Sequence, residues 1–313
     1  MAENDSVNDI NRFFYIYDTN DRNKSYFLNF DHAPGNTYNM VRGTGMCYLN
    51  NYWYGVCLAK EHRVGSKLII RNINTGKARI NDLKYSKAVH SITSYGKQGI
   101  YNLILANSTQ NDSISIITTH ETEVVTEDIY FDFLTNQERV NYNWNEEYLH
   151  DDSFHNNCVL SYNGDIYVSM FLDFQLDGAK KIRDANWREN GKVESGAIYN
   201  LKKLEKVYSN CKQPHSIMVD SRDNLLFCES SEFMIRDITN NKSAKLNGFT
   251  RGLCEDKEKG GYWVGLSYHR KFNTDIKGAG IHFVSYDMKL GEYVDLEKVG
   301  KEVYDIVPFI KGN

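Results

Sequence analysis

Short runs rich in Val, Ile, Tyr and Phe recur along this chain, each broken by Asn, Asp or Gly. That pattern marks half-buried strands joined by tight turns. Met40 to Leu49 and Tyr52 to Leu58 flank an Asn50-Asn51 turn. Lys67 to Ile73 follows, then the Asn74-Thr75-Gly76 turn and Lys77 to Leu83. These are four strands in about 43 residues, within the ~40–45-residue period of repeated four-stranded units.

The same shape returns four times. The second unit starts at His90 and continues through Ile100 to Ala106, Ser113 to Thr119 and Glu123 to Tyr130. The third starts at His155, with Asp165 to Phe171, Ala197 to Leu201 and Glu205 to Tyr208. The fourth starts at His215, with Asn224 to Cys228, Phe233 to Ile238 and Ser243 to Leu246. The fifth starts at Arg251, with Gly261 to Leu266, Gly280 to Tyr286 and Glu292 to Leu296. One strand, Glu302 to Phe309, then stands alone. Arg12 to Tyr17 and Ser25 to Phe30 are expected to join it and close a ring, because closure removes the exposed edges of an open β-array. The pattern thus predicts an all-β fold, a six-bladed β-propeller. It takes residues 1–313 as one domain, with residues 1–10 flexible and insertions at 131–152 and 173–195. The second insertion carries Trp187 and Arg188, an aromatic beside a cation, and is read as a lid over the mouth of the ring, since long loops in compact domains are often functional.

The first strand of each blade lines a propeller's axis, so the blade starts should converge. They contribute Arg42, His90, His155, His215, Arg251 and the pair Tyr304-Asp305. Three neutral imidazoles at equivalent positions are a candidate site for one divalent metal ion. They could equally bind an anion as imidazolium, or include a general base near neutral pH. Arg42 and Arg251 are suited to clamp a carboxylate or phosphate. Arg251 could also be a buried ion pair between blades. Tyr304 and Asp305 offer an acid–base pair or a metal carboxylate, unless Asp305 is taken up by backbone donors.

Composition narrows the class. Hydrophobic residues make up 41%, and 22 Tyr and 15 Phe stand against only 3 Pro, which suits strands. The net charge of −4 comes from interspersed signs, so no general polyanion binder and no nucleic-acid partner is expected. Six cysteines (Cys47, Cys57, Cys158, Cys211, Cys228, Cys254) show no paired spacing and are expected as reduced, buried thiols. No secretory signal and no membrane-length apolar run is found, which leads to the expectation of a cytoplasmic protein without a membrane partner. Gly43-Thr44-Gly45 lacks the lysine and the strand-to-helix context of a phosphate loop, so no nucleotide cofactor is expected.

Trp187-Arg188-Glu189-Asn190 followed by Gln213-Pro214-His215-Ser216, then Gly248-Phe249-Thr250-Arg251-Gly252-Leu253, Val264-Gly265-Leu266-Ser267 and Glu302-Val303-Tyr304-Asp305-Ile306 carry a resemblance. In that order they resemble a bacterial β-propeller family known only as a conserved domain of unknown function. The resemblance covers roughly residues 150 to 310. It implies a propeller and no settled activity.

Two functions are carried forward. One is a propeller enzyme of lyase, epimerase or hydrolase type, acting on a small anionic, sugar-derived substrate. Its catalytic groups would be Tyr304, Asp305 and His215, its substrate contacts Arg42, Arg251, Trp187 and Arg188, and its metal ligands His90, His155 and His215. The other is a non-catalytic propeller that binds a ligand or a protein.

Overall fold

The computed structural model describes residues 14–18, 21–27, 40–59, 66–133, 154–175, 196–268 and 278–308. Within them, β1 (Tyr15–Ile16) pairs antiparallel with β2 (Tyr26–Phe27). Five four-stranded antiparallel sheets follow. The first blade is β3 (Met40–Leu49), β4 (Tyr52–Ala59), β5 (Ser66–Asn72) and β6 (Ala78–Asp82). The second is β7 (Val89–Gln98), β8 (Tyr101–Ser108), β9 (Ser113–His120) and β10 (Glu123–Asp132). The third is β11 (Asn156–Tyr162), β12 (Asp165–Met170), β13 (Gly196–Asn200) and β14 (Glu205–Cys211). The fourth is β15 (Pro214–Val219), β16 (Leu225–Glu229), β17 (Met234–Asp237) and β18 (Lys242–Lys245). The fifth is β19 (Phe249–Asp256), β20 (Gly261–Ser267), β21 (Gly280–Ser285) and β22 (Leu290–Asp295).

The blades stack because their middle strands are apolar on both faces. In β16 all five residues are buried. Its alternate side chains go opposite ways, as the two-residue period of a strand requires. Leu225 and Phe227 pack with Cys158 and Ile198 of the third blade, while Leu226 and Cys228 pack with Tyr262 and Val264 of the fifth. Tyr54, Val56 and Leu68 meet Ile92 and Ile104 between the first and second blades. Leu105 and Ile114 meet Val159 and Val168 between the second and third. Each such side chain contributes about 1.5–3 kcal/mol by leaving water.

The β-propeller is present, but with five blades, not six. The segments expected to build a sixth fill the gap between the fifth blade and the first without forming a sheet together. β1 and β2 are two residues each and pair only with one another. Phe14 stacks edge-on against Trp53 of the first blade at 4.8 Å, and Tyr17 approaches Trp263 of the fifth. The expected strand Glu302 to Phe309 is not a strand over 302–308. It is an extended strap that uses side-chain bonds where a ladder would use backbone. Ser267 Oγ accepts from Val303 N (2.9 Å) and donates to Val303 O (3.1 Å), and Asp305 Oδ2 accepts from Met46 N (3.0 Å). The strap therefore touches the fifth blade on one side and the first on the other.

Most of both expected insertions, and residues 1–10, lie outside the described residues. No described helix is long and apolar enough to cross a membrane.

Candidate functional site

Each inner strand is bulged near its entry. The register shifts between Gly43 and Gly45 in β3, Val89 and Ile92 in β7, Asn156 and Cys158 in β11, His215 and Met218 in β15, and Thr250 and Leu253 in β19. A bulge adds a residue to one strand and re-aims the side chains around it. Ala88, His155 and Ser216 take left-handed backbone there, with φ of 49°, 48° and 52°. Such a conformation costs a non-glycine residue about 1–2 kcal/mol. Gly252 supplies the equivalent turn at φ 73°, where a Cβ would lie 2.8 Å from Ile306 Cγ1.

Hydrogen bonds between blades hold these bulges. Thr44 Oγ1 donates to Val89 O (2.6 Å). Ser91 Oγ lies 3.4 Å from Val159 N, which donates to it. Ile217 N donates to Cys158 Sγ (3.2 Å), and Gly252 N to Ser216 Oγ (2.8 Å). Asp305 completes the series with its bond from Met46 N. A side chain of each of the first four blades thus reaches the backbone of the next blade, and Asp305 of the strap reaches that of the first. Asn107 reinforces the second step. Its Oδ1 accepts from His90 N (3.1 Å) and Ser91 N (2.6 Å), and its Nδ2 donates to Asn156 O (2.7 Å).

The re-aimed side chains form a closed collar. Tyr304 lies 6.4 Å from His90, His90 5.5 Å from His155, His155 4.4 Å from Phe171, Phe171 5.0 Å from His215 and His215 5.6 Å from Phe249, ring centre to ring centre. The Arg251 guanidinium closes the circuit, 4.9 Å from the Phe249 ring and 4.7 Å from the Tyr304 ring. His90, His215 and Tyr304 border a cavity of about 400 Å³ whose wall takes residues from all five inner strands and the strap.

His215 is 3% exposed. Its Nδ1 lies 2.9 Å from Gln213 O, which can only accept, and 2.6 Å from Ser230 Oγ, whose own proton goes to Thr250 O. Both partners require the proton on Nδ1, so Nε2 carries the lone pair. Nε2 has no hydrogen-bond partner among the described residues. Burial, then the Arg251 charge, holds the imidazole well below its usual pKa, so it is neutral near pH 7.

Arg251 Nε is likewise buried without a partner among the described residues, while Nη1 lies 3.6 Å from Glu302. Asp305 also borders the cavity, and burial pushes its carboxyl up to about 7 against the pull of Met46 N and Ile306 N. All six cysteines are buried and free, and burial pushes every thiol up.

His90, His155, His215, Arg251 and Tyr304 are thus brought together, with Asp305 beside them. Arg42 lies in β3 opposite Leu58 by its backbone, and its side chain is outside the described residues. Trp187 and Arg188 are outside them as well. The three-histidine metal centre is not formed. Among the described residues no three His, Cys, Asp or Glu side chains are placed to hold a metal ion. The Phe171 ring stands between His155 and His215, and His90 meets His155 edge to face at 81°. Phe171, Phe249 and Ser230 are site residues that the sequence pattern does not single out. The two phenylalanines sit at a strand end and a blade start, where aromatics read as core. Ser230 follows β16 with nothing in its neighbourhood to mark it.

No family model matches the chain, and no curated protein matches it. Solved structures do. A protein of unknown function from Bacteroides caccae is 10% identical, with 90% of this chain and 88% of that one covered and a TM-score of 0.50. The extracellular domain of a putative hybrid two-component system from B. thetaiotaomicron is 11% identical over 85% of this chain and 30% of that one, with a TM-score of 0.45. A chain of the mitotic checkpoint complex is 8% identical over 84% of this chain and 79% of that one, with a TM-score of 0.47. At these identities the likeness concerns the propeller fold alone. The first of them is itself uncharacterised, which fits the family resemblance in general terms, and the individual motifs find no counterpart in a family model.

Proposed function

We propose that this protein binds a small anionic ligand in its axial cavity, its negative charge held by Arg251 at the collar. The observation that carries this is a pair of buried polar atoms left without partners among the described residues: His215 Nε2, on a side chain that borders the cavity, and Arg251 Nε, on a guanidinium stacked on Tyr304, which borders it too. A buried unpaired polar group costs about 1–3 kcal/mol, which a ligand that pairs it recovers. Arg251 is stacked between two aromatic rings, which orders its planar fork before any ligand arrives. Its Glu302 partner, at 3.6 Å and more exposed, is a loose one that an incoming carboxylate or phosphate can replace.

A lyase, epimerase or hydrolase role has one observation in its favour. Asp305 borders the same cavity with its carboxyl near neutrality, where a group both takes and returns a proton. His215 serves that role poorly. A buried imidazole this hard to protonate is a good hydrogen-bond acceptor and a weak base, so binding is the reading put first.

Calorimetry of the full chain against inorganic phosphate and a panel of small carboxylates tests the proposal. At least one anion should bind, and Arg251→Gln should weaken it ten-fold or more while the fold, followed by circular dichroism, persists. Binding unchanged in Arg251→Gln, or no binding by any of the panel, would overturn it.

A further inference from the structure

The collar asks for more than a negative charge. A carboxylate or phosphate satisfies Arg251 Nε, which donates. A carboxylate cannot satisfy His215 Nε2, which accepts, because it has no proton to give and would set lone pair against lone pair. Protonating the imidazole would relieve the clash, but burial and the neighbouring guanidinium both oppose a second positive charge. The tautomer cannot reverse either without breaking the Nδ1 bonds to Gln213 and Ser230. The ligand must therefore bring its own donor.

The two orphaned atoms stand on side chains that pack against one ring, Phe249, at 5.6 Å for His215 and 4.9 Å for Arg251. One small molecule that carries both a donor and a negative charge can then reach both side chains. We infer that the axial ligand is a hydroxy acid, its carboxylate on Arg251 and the hydroxyl of the adjacent carbon donating to His215 Nε2. The inference rests on the axial-anion reading above. The cavity wall is mostly apolar, with Asn157 and Asp305 among its polar members, so a further hydroxyl has a side-chain partner to meet at those two positions. A volume of about 400 Å³ has room for acids of sugar-acid size as well as lactate-sized ones. No covalent step is required. His215 acts as a specificity contact, with Phe171 and Phe249 holding its ring and Ser230 holding its tautomer.

The test compares gluconate with 2-deoxygluconate by calorimetry on the full chain at pH 7.5. Gluconate should bind about ten-fold more tightly, as one buried hydrogen bond implies. In His215→Phe, whose phenyl ring fits between Phe171 and Phe249, the ratio of the two affinities should fall to about one. Nitrogen NMR of the wild type gives a second readout, independent of whether that variant folds. The Nε2 resonance should move when gluconate is added and stay in place with the deoxy acid. Equal affinity for the two acids, or an unmoved Nε2, overturns the hydroxyl contact and leaves the anion site standing. If neither acid nor inorganic phosphate binds, the anion site itself falls.

Discussion

Asp305 gives the sharpest quantitative test. Its carboxyl joins the strap to the first blade through Met46 N, and burial pushes its pKa up to about 7. In the unfolded chain an aspartate titrates near ~3.9. Between those two values the folded protein keeps a proton that the unfolded one has shed. Stability therefore falls as pH rises through this window, and at pH 8 the penalty is fully present. Three pKa units correspond to about 4 kcal/mol, an upper figure for a single buried group. Asp305→Asn keeps an oxygen to accept from Met46 N and cannot ionise. Urea unfolding of both proteins at pH 5 and pH 8 isolates the effect, because the other titrating groups are shared and cancel in the difference. The variant should gain about 2–4 kcal/mol on the wild type between pH 5 and pH 8. A difference that stays constant across the two pH values would show that the carboxyl is not held near neutrality, and with it would go the proton-transfer reading of the cavity.

Asn107→Ala should lower stability by about 3 kcal/mol in urea. It strands the His90 and Ser91 amides and removes the bond to Asn156 O, and each buried unpaired group costs about 1–3 kcal/mol. A loss under 1 kcal/mol would mean water takes over its role. Gly265→Ala should cost about 1–3 kcal/mol of thermal stability and also weaken anion binding. Its Cβ would fall 2.0 Å from Arg251 O and 2.5 Å from Val303 Cγ1, forcing both the collar and the strap to move. Unchanged melting would refute that packing.

The repeat was readable because strand periodicity and turn residues are local. Tyr52 to Leu58 was expected and Tyr52–Ala59 is found, and Lys67 to Ile73 became Ser66–Asn72. The convergence of His90, His155, His215 and Arg251 on one axis followed from the same repetition. The blade count differs from the sequence expectation where long-range pairing decides. Nothing in Glu302 to Phe309 shows that Ser267 and Asp305 side chains will replace a ladder there. The metal site failed for a similar reason. Phe171 ends up between two histidines only because residues 171 and 172 turn back to bond Phe154 O, a contact across the blade that carries no sequence signal. The inner-strand bulges were equally invisible, since Ser216 and Ala88 adopt backbone conformations that their residue types do not announce.

The strap has a further consequence for how the molecule assembles. Four of the five seams join consecutive blades, and each can zip as soon as its second blade exists. The seam between the fifth blade and the first waits for Val303 to Ile306 to slot in like a keystone. Tyr304 travels with that keystone and is also a member of the collar. The ligand pocket is thus finished by the same event that locks the disc, so an incompletely assembled molecule would lack the site altogether instead of presenting a weakened one.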